Sequence, residues 1–296
     1  MDRTTGTARS PLKAVASHRI SVKFKHYPPF PNTQPSTMSS DPSNTQHSSS
    51  IDTTSASPEA LIYAVMSGDV RHVKLLASLN IGVASSDSWV VLEACLHGIE
   101  MVHALSCNTH IDLNPTLPGQ KGDRVLHLLL RMPSTRFGGR KPETVRILLQ
   151  KGVDPLEPDR RGNNAIHILS GSPKDQSAQS LRLLQMILCG DQGIPEQIRA
   201  TSLASINEKN MGGAGNTALI IAVQSENEYQ VRLLLEKGAS PHVPGEFGRK
   251  PLYFAVARDF VVIATLLLDY GATIENDIVA LSSEMESLIR VYSVCR

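Results

Sequence analysis

The chain has 296 residues, 41% of them hydrophobic and 4% aromatic, with 29 Lys+Arg against 28 Asp+Glu for a formal net charge of +1. That balance excludes a polybasic or polyacidic chain as a whole, and the apolar-rich stretch Val261–Leu268, interrupted by Thr265, falls far short of the ~18 residues of a membrane span. Cys95, Cys107, Cys189 and Cys295 are too sparse for a disulfide scaffold, which points to a reducing, intracellular compartment, cytoplasmic or nuclear.

Residues 1–40 carry six bases (Arg3, Arg9, Lys13, Arg19, Lys23, Lys25) against the single acid Asp2. From Pro28 to Pro58 the chain is dominated by Ser, Thr, Pro, Asn and Gln and offers too little apolar surface to offset the entropy of ordering. Residues 1–57 therefore read as a disordered tail. Its basic start has competing readings: a mitochondrial transit peptide, a nucleic-acid-binding arm, a stretch upstream of a translation start at Met38, or a tail with no address.

Beyond Pro58 the sequence repeats. Apolar stretches open at Leu61, Val91, Leu126, Ile166, Leu219 and Leu252, at spacings of 30, 35, 40, 53 and 33. GNTALIIAVQSENEYQVRLLLEKGASPHV, from Gly215, lies without gaps over GRKPLYFAVARDFVVIATLLLDYGATIEN, from Gly248. In each unit a first set such as Leu219, Ala222 and Val223 makes one helical stripe, and Val231, Leu234 and Leu235 make the facing stripe of an antiparallel helix. A glycine follows the second helix (Gly152, Gly238, Gly271) and suits a left-handed cap. Neither stripe can be buried by its own unit, so the units must stack.

The pattern resembles the ankyrin repeat, on Gly215-Asn216-Thr217-Ala218-Leu219 and Gly248-Arg249-Lys250-Pro251-Leu252, with fainter copies at Gly122-Asp123-Arg124-Val125-Leu126-His127 and Gly162-Asn163-Asn164-Ala165-Ile166-His167. The resemblance implies an all-α solenoid over residues 58–274, with units near 58–88, 89–118, 119–158, 159–211, 212–244 and 245–274. Residues 275–296 are expected to supply a capping helix, with its apolar positions beginning at Ile278 in the stretch from Asp277. Excess residues around 131–142 and 171–179, and across 189–215, read as polar loops outside the core.

Chemistry-bearing constellations are few. Cys95, His97, His103, Cys107 and His110 cluster without zinc-ligand spacing. His127 and His167 fall where the repeat's imidazole bonds the turn. Gly212-Gly213-Ala214-Gly215 lacks the preceding strand and the Lys-Ser/Thr of a phosphate loop, and reads as a repeat turn. The chain is thus expected to be no enzyme and to need neither cofactor nor metal.

The resemblance implies binding through turn tips and first-helix faces, on Lys121, Arg131, Arg160, Arg161, Gln224, Glu246, Phe247, Arg249 and Arg258. Because those tips sum to a positive charge, the expected partner is a protein that is locally acidic or phosphorylated, with no membrane and no direct nucleic-acid contact. The functional expectation is a non-catalytic scaffold or adaptor, such as a regulatory subunit or transcription co-regulator. The alternative is a nucleic-acid-associated regulator acting through the basic tail.

Overall fold

The computed structural model describes residues 56–84, 87–117, 122–212, 215–275 and 278–294. The expected tail, apart from its last two residues, lies outside that set. Among the described residues the fold is all-α, with isolated antiparallel bridges at Thr116–Arg124 and Lys209–Thr217.

Six helix pairs follow one another. They are α1 (Pro58–Met66) with α2 (Val70–Ser78), α3 (Trp89–His97) with α4 (Ile99–Leu105), and α5 (Val125–Arg131) with α6 (Lys141–Gln150). Then come α7 (Ala165–Ser170) with α8 (Ser177–Cys189), α10 (Ala218–Gln224) with α11 (Glu228–Glu236), and α12 (Pro251–Val256) with α13 (Val261–Asp269). First helices pack on first helices, in the order α1, α3, α5, α7, α10, α12; second helices pack in a parallel row. One continuous core runs between the rows. Leu61, Leu126, Ile166, Leu219 and Leu252 all lie in it, as do Val231 and Leu234.

Local chemistry sets the ends of these helices. Thr217 caps α10 by accepting from the Ile220 N–H at 3.3 Å, and Asn164 caps α7 from the His167 N–H at 3.1 Å. At the other end of α6, α11 and α13, Gly152, Gly238 and Gly271 take φ of 85°, 93° and 88°. Each lets the next N–H turn back to an orphan carbonyl: Val153 to Leu148, Ala239 to Leu234, and Ala272 to Leu267.

The insertions depart from the sequence reading. Residues 131–142 do not stay outside the core: a 3-10 turn at Ser134–Phe137 drives the Phe137 ring inward, to 2% exposure, and Met132 follows it. A lone aromatic among Ser, Thr, Arg and Gly gains more from burial than from solvent. In the next unit, residues 190–212 build a further helix, α9 (Glu196–Ala204), which packs on α8 through Ile198 and Ser202. The approach to α9 leans on α6, where Arg146 pairs with Asp191 at 2.9 Å and the Gln150 amide donates to the Gln192 carbonyl at 2.8 Å. Because α8 still meets α11 directly, the stack continues past this insertion.

The stretch expected to turn helical from Asp277 does so only at α14 (Ser283–Val294). The Ser282 hydroxyl fixes that start, accepting from the Met285 N–H at 3.1 Å and donating to Asp259 at 2.7 Å. Met285 is the buried residue of this helix, against α13.

Candidate functional site: the row of turn tips

The turns leading into α5, α7, α10 and α12 place their tips side by side, tied by short polar contacts. From the α5 tip, Asp123 faces Arg160 of the next tip, at 3.7 Å from its guanidinium and 3.4 Å from its N–H. Arg131 bridges the same two tips, pairing with Asp123 at 3.4 Å and with Asp159. Asp159 in turn organises its own tip, accepting from the N–H groups of Arg161 at 2.7 Å and Asn163 at 2.8 Å. Burial pushes the Asp159 carboxyl up, but the Asn163 and Arg161 N–H donors and the Arg131 guanidinium outweigh it and hold the group below the usual range.

The next link is backbone on backbone. The Gly212 N–H donates to the Arg161 carbonyl at 3.1 Å, and a Cβ on Gly162 would lie 2.3 Å from the Gly212 nitrogen. Beside it the Asn210 amide donates to Asn163 Oδ1 at 3.0 Å. Asn216 then joins the last two tips: its N–H donates to Asn210 Oδ1 at 2.7 Å and its Oδ1 accepts from the Glu246 N–H at 2.8 Å. The row is a hydrogen-bonded ladder from Asp123 to Glu246.

Two imidazoles brace it from beneath. The Arg124 N–H donates to His127 Nδ1 at 3.1 Å, and His127 Nε2 lies 2.9 Å from the Glu157 carbonyl. That arrangement fits the neutral ring protonated on Nε2. His167 reaches the following turn in the same way, with Nε2 3.1 Å from the Glu208 carbonyl, but its Nδ1 lies 2.7 Å from Asn164 Oδ1. Burial lowers the pKa of both rings.

The residues singled out from the sequence fall into distinct environments. Lys121 lies outside the described residues. Arg131 stays partly open to solvent but is paired with Asp123 and Asp159, so the summed charge of the tips, which left out Asp159, overstates the free charge that a partner meets. Arg160 and Arg161 are exposed at one tip and Phe247 at another, its ring 87% exposed. Glu246 is engaged through its N–H. Arg249 lies over the Tyr253 ring, 4.3 Å from its centroid. Gln224 accepts from the Asn216 amide at 3.5 Å, and its carbonyl accepts from the Arg258 guanidinium. Sequence reasoning missed Met211, 91% exposed at the tip between Arg161 and Phe247, together with Asp159 and Tyr253.

The other candidates separate from this row. Among the described residues no three His, Cys, Asp or Glu side chains stand close enough to share a metal. Cys95 is buried, its thiol pushed up to about 12 by desolvation, while Cys107 is exposed and donates to the His103 carbonyl at 3.4 Å. No helix of the described residues is long and apolar enough to cross a membrane.

Comparison with known proteins accords with this geometry. A family model described as ankyrin repeats in three copies matches residues 176–278. The ankyrin repeat protein YahD of Escherichia coli (strain K12) is 35% identical over 233 residues, which cover 73% of this chain and 97% of that protein. The chain belongs to the ankyrin-repeat family. The crystal structure of the human ASB11 ankyrin repeat domain matches the fold with a TM-score of 0.50 at 20% identity, over 78% of this chain and 96% of that one. The B-cell lymphoma 3 protein homolog of Mus musculus is 29% identical over 147 residues, 49% of this chain but 29% of its own length. The chain thus spans about a third or less of that relative. As an ankyrin-repeat chain it is built for protein–protein interaction.

Proposed function

We propose that the chain is a non-catalytic scaffold or adaptor that docks a protein partner on the turn tips and first-helix faces of units three to six. The observation that carries this reading is the tied row of tips, which holds Arg160, Arg161 and Phe247 in solvent on a rigid base. Charged rim groups steer encounter and an exposed aromatic supplies an anchor. Arg249, Arg258, Gln224 and Glu246 border the same face, and the partner that suits it is locally acidic.

Within that class, a regulatory subunit or transcription co-regulator is the reading supported by the family resemblance and by the partial likeness to B-cell lymphoma 3 proteins. Sparse cysteines support a reducing compartment inside the cell. The alternative, a nucleic-acid-associated regulator, rests on bases among residues 1–40, outside the described residues, and no structural observation favours it. Affinity purification with mass spectrometry should identify a partner whose capture falls in an Arg160→Ala, Arg161→Ala, Phe247→Ala triple variant. Capture unchanged by that variant would reject this face.

A further inference from the structure

Phe247 is costly where it stands. Its backbone is left-handed, at φ 55°, a region that suits glycine and short polar residues. The other described non-glycine residues in that region are Asn80, Glu226 and Asp259, all polar. The turn around Phe247 is held shut by the Gly245 N–H on the Arg249 carbonyl at 2.9 Å and the Gly248 N–H on the Gly245 carbonyl at 3.1 Å. It cannot slide, because a Cβ on Gly245 would lie 2.2 Å from Asn216 Oδ1. A strained backbone that is clamped in place and exposes an aromatic ring gains nothing for the fold. It presents the ring.

The neighbouring tips repeat the presentation with different chemistry. Met211 stands in solvent on the next tip, and its thioether adapts readily to an apolar partner. Beyond it are Arg160 and Arg161, and among the described residues no carboxylate comes within ion-pair distance of the Arg161 guanidinium. Backbone contact through Gly162 and Gly212 fixes the interval between the arginine and methionine tips. The order along the row is therefore two arginines, a methionine, then a phenylalanine.

We infer that this row reads an extended protein segment in register: acidic residues against Arg160 and Arg161, then one apolar side chain against Met211 and another against Phe247. Neighbouring helices pack about 8–10 Å apart. An extended chain advances roughly 3.3 Å per residue, so each tip meets about every third residue of such a segment. This inference rests on the docking face proposed above and adds to it the chemistry and spacing of the occupant.

Selection of a random twelve-residue peptide display library on the full chain tests it. Recovered peptides should carry an acidic pair and two apolar residues at steps of about three, and should bind Phe247→Gly about tenfold more weakly or worse. That variant should melt at or above the wild-type temperature, since glycine relieves the left-handed backbone; a weaker fold would overturn the strain argument. Peptides that lose binding to Phe247→Gly, or to the Arg160→Ala, Arg161→Ala double variant, but lack that order and spacing overturn the register and leave the face standing. Peptides indifferent to all three substitutions overturn both. Recovery of no peptide overturns the linear segment and leaves a folded partner on the same face.

Discussion

Units five and six differ from units three and four at one position, seven residues after the apolar residue that opens each first helix. In the fifth and sixth units that position holds Glu226 and Asp259, and in the first two Gly68 and Gly98, all with positive φ. The chain reverses there at once: the Asn227 N–H reaches the Ala222 carbonyl at 3.0 Å and the Phe260 N–H reaches Ala255 at 2.9 Å. In units three and four the position holds Pro133 and Pro173, with φ of −67° and −59°. Proline cannot enter the left-handed region, so the chain leaves extended and needs a 3-10 turn before the second helix. The tight reversal is lost, and with it a backbone donor for the carbonyls at the end of the first helix.

Side chains replace that donor in both cases, from different places. In unit three the Lys141 ammonium donates to the Leu130 carbonyl at 2.8 Å and the Met132 carbonyl at 2.7 Å. In unit four the equivalent carbonyls, Ser170 and Ser172, accept from the Asn227 amide, each at 2.9 Å. Asn227 belongs to the following unit. One inserted unit is therefore self-sufficient and the other depends on its neighbour.

The largest effect is expected in the regular region. Leu234 is fully buried, and Leu234→Ala should cost about 2–5 kcal/mol through lost transfer energy and a residual cavity. The loss should spread mainly to adjoining units, as measured by hydrogen exchange along the stack. A melting temperature within a degree of wild type would show that the two helical stripes are wrongly assigned.

Lys141 gives the next largest effect, and it depends on pH. Its side chain is 1% exposed and burial lowers the ammonium to about 8. An unfolded lysine titrates near 10.4, so between these values the unfolded chain holds more protons and stability rises with pH. The gain is complete above the unfolded value and lost as pH falls through 8; a shift of this size corresponds to about 3 kcal/mol. The neutral amine keeps two N–H donors for two carbonyls, so deprotonation relieves the buried charge without breaking either bond. Urea unfolding from pH 7.5 to 10.5 should show this rise in wild type and lose it in Lys141→Met.

Asn227→Leu should cost about 1–3 kcal/mol by orphaning two buried carbonyls. Its counterpart in unit six, Phe260, makes no such bridge, since the proline-free turn there closes through the backbone. Phe260 packs against the core instead, and a Phe260→Leu variant, which keeps an apolar side chain there, should cost less than Asn227→Leu. Equal losses at both positions in matched denaturation curves would mean that the proline turns do not create the dependence.

The contrast also governs what the sequence made legible. Helix pairs were readable because burial on one face imposes a period of 3.6, and units five and six align without a gap. Helix α9 was not, because its inward face mixes Ile198 with Ser202 and carries little periodic signal. Phe137 could have been found: it is the sole aromatic in its insertion. Within the candidate row, Arg160, Arg161 and Phe247 were legible as tip positions. Asp159 was not weighed, although an aspartate two and four residues before Arg161 and Asn163 is the spacing of a side chain that bonds its own turn. Met211 was hidden because an isolated methionine carries no sign of whether it faces core or solvent.

The smallest effect at neutral pH comes from His127 and His167, which link the turns of the irregular units to those that follow. Both are held neutral by burial, below the ordinary imidazole value of about 6.5. Protonation would place a new N–H on His127 Nδ1, against the Arg124 N–H, where a donor now meets an acceptor; at His167, whose Nδ1 lies 2.7 Å from Asn164 Oδ1, the cost is the burial of the charge. The unfolded chain takes up protons first as pH falls. The stabilisation is therefore complete above about 6.5 and drains as pH drops through that value toward the lowered pKa of the folded rings. Asp159, held below the usual carboxylate range, contributes only to a later loss in stronger acid. Chemical denaturation at pH 7.5 and 5.5 should show wild type losing stability across that interval and a His127→Gln, His167→Gln variant losing less. If the double variant declines as steeply as wild type, the imidazoles are not the groups that couple the tied tips to pH.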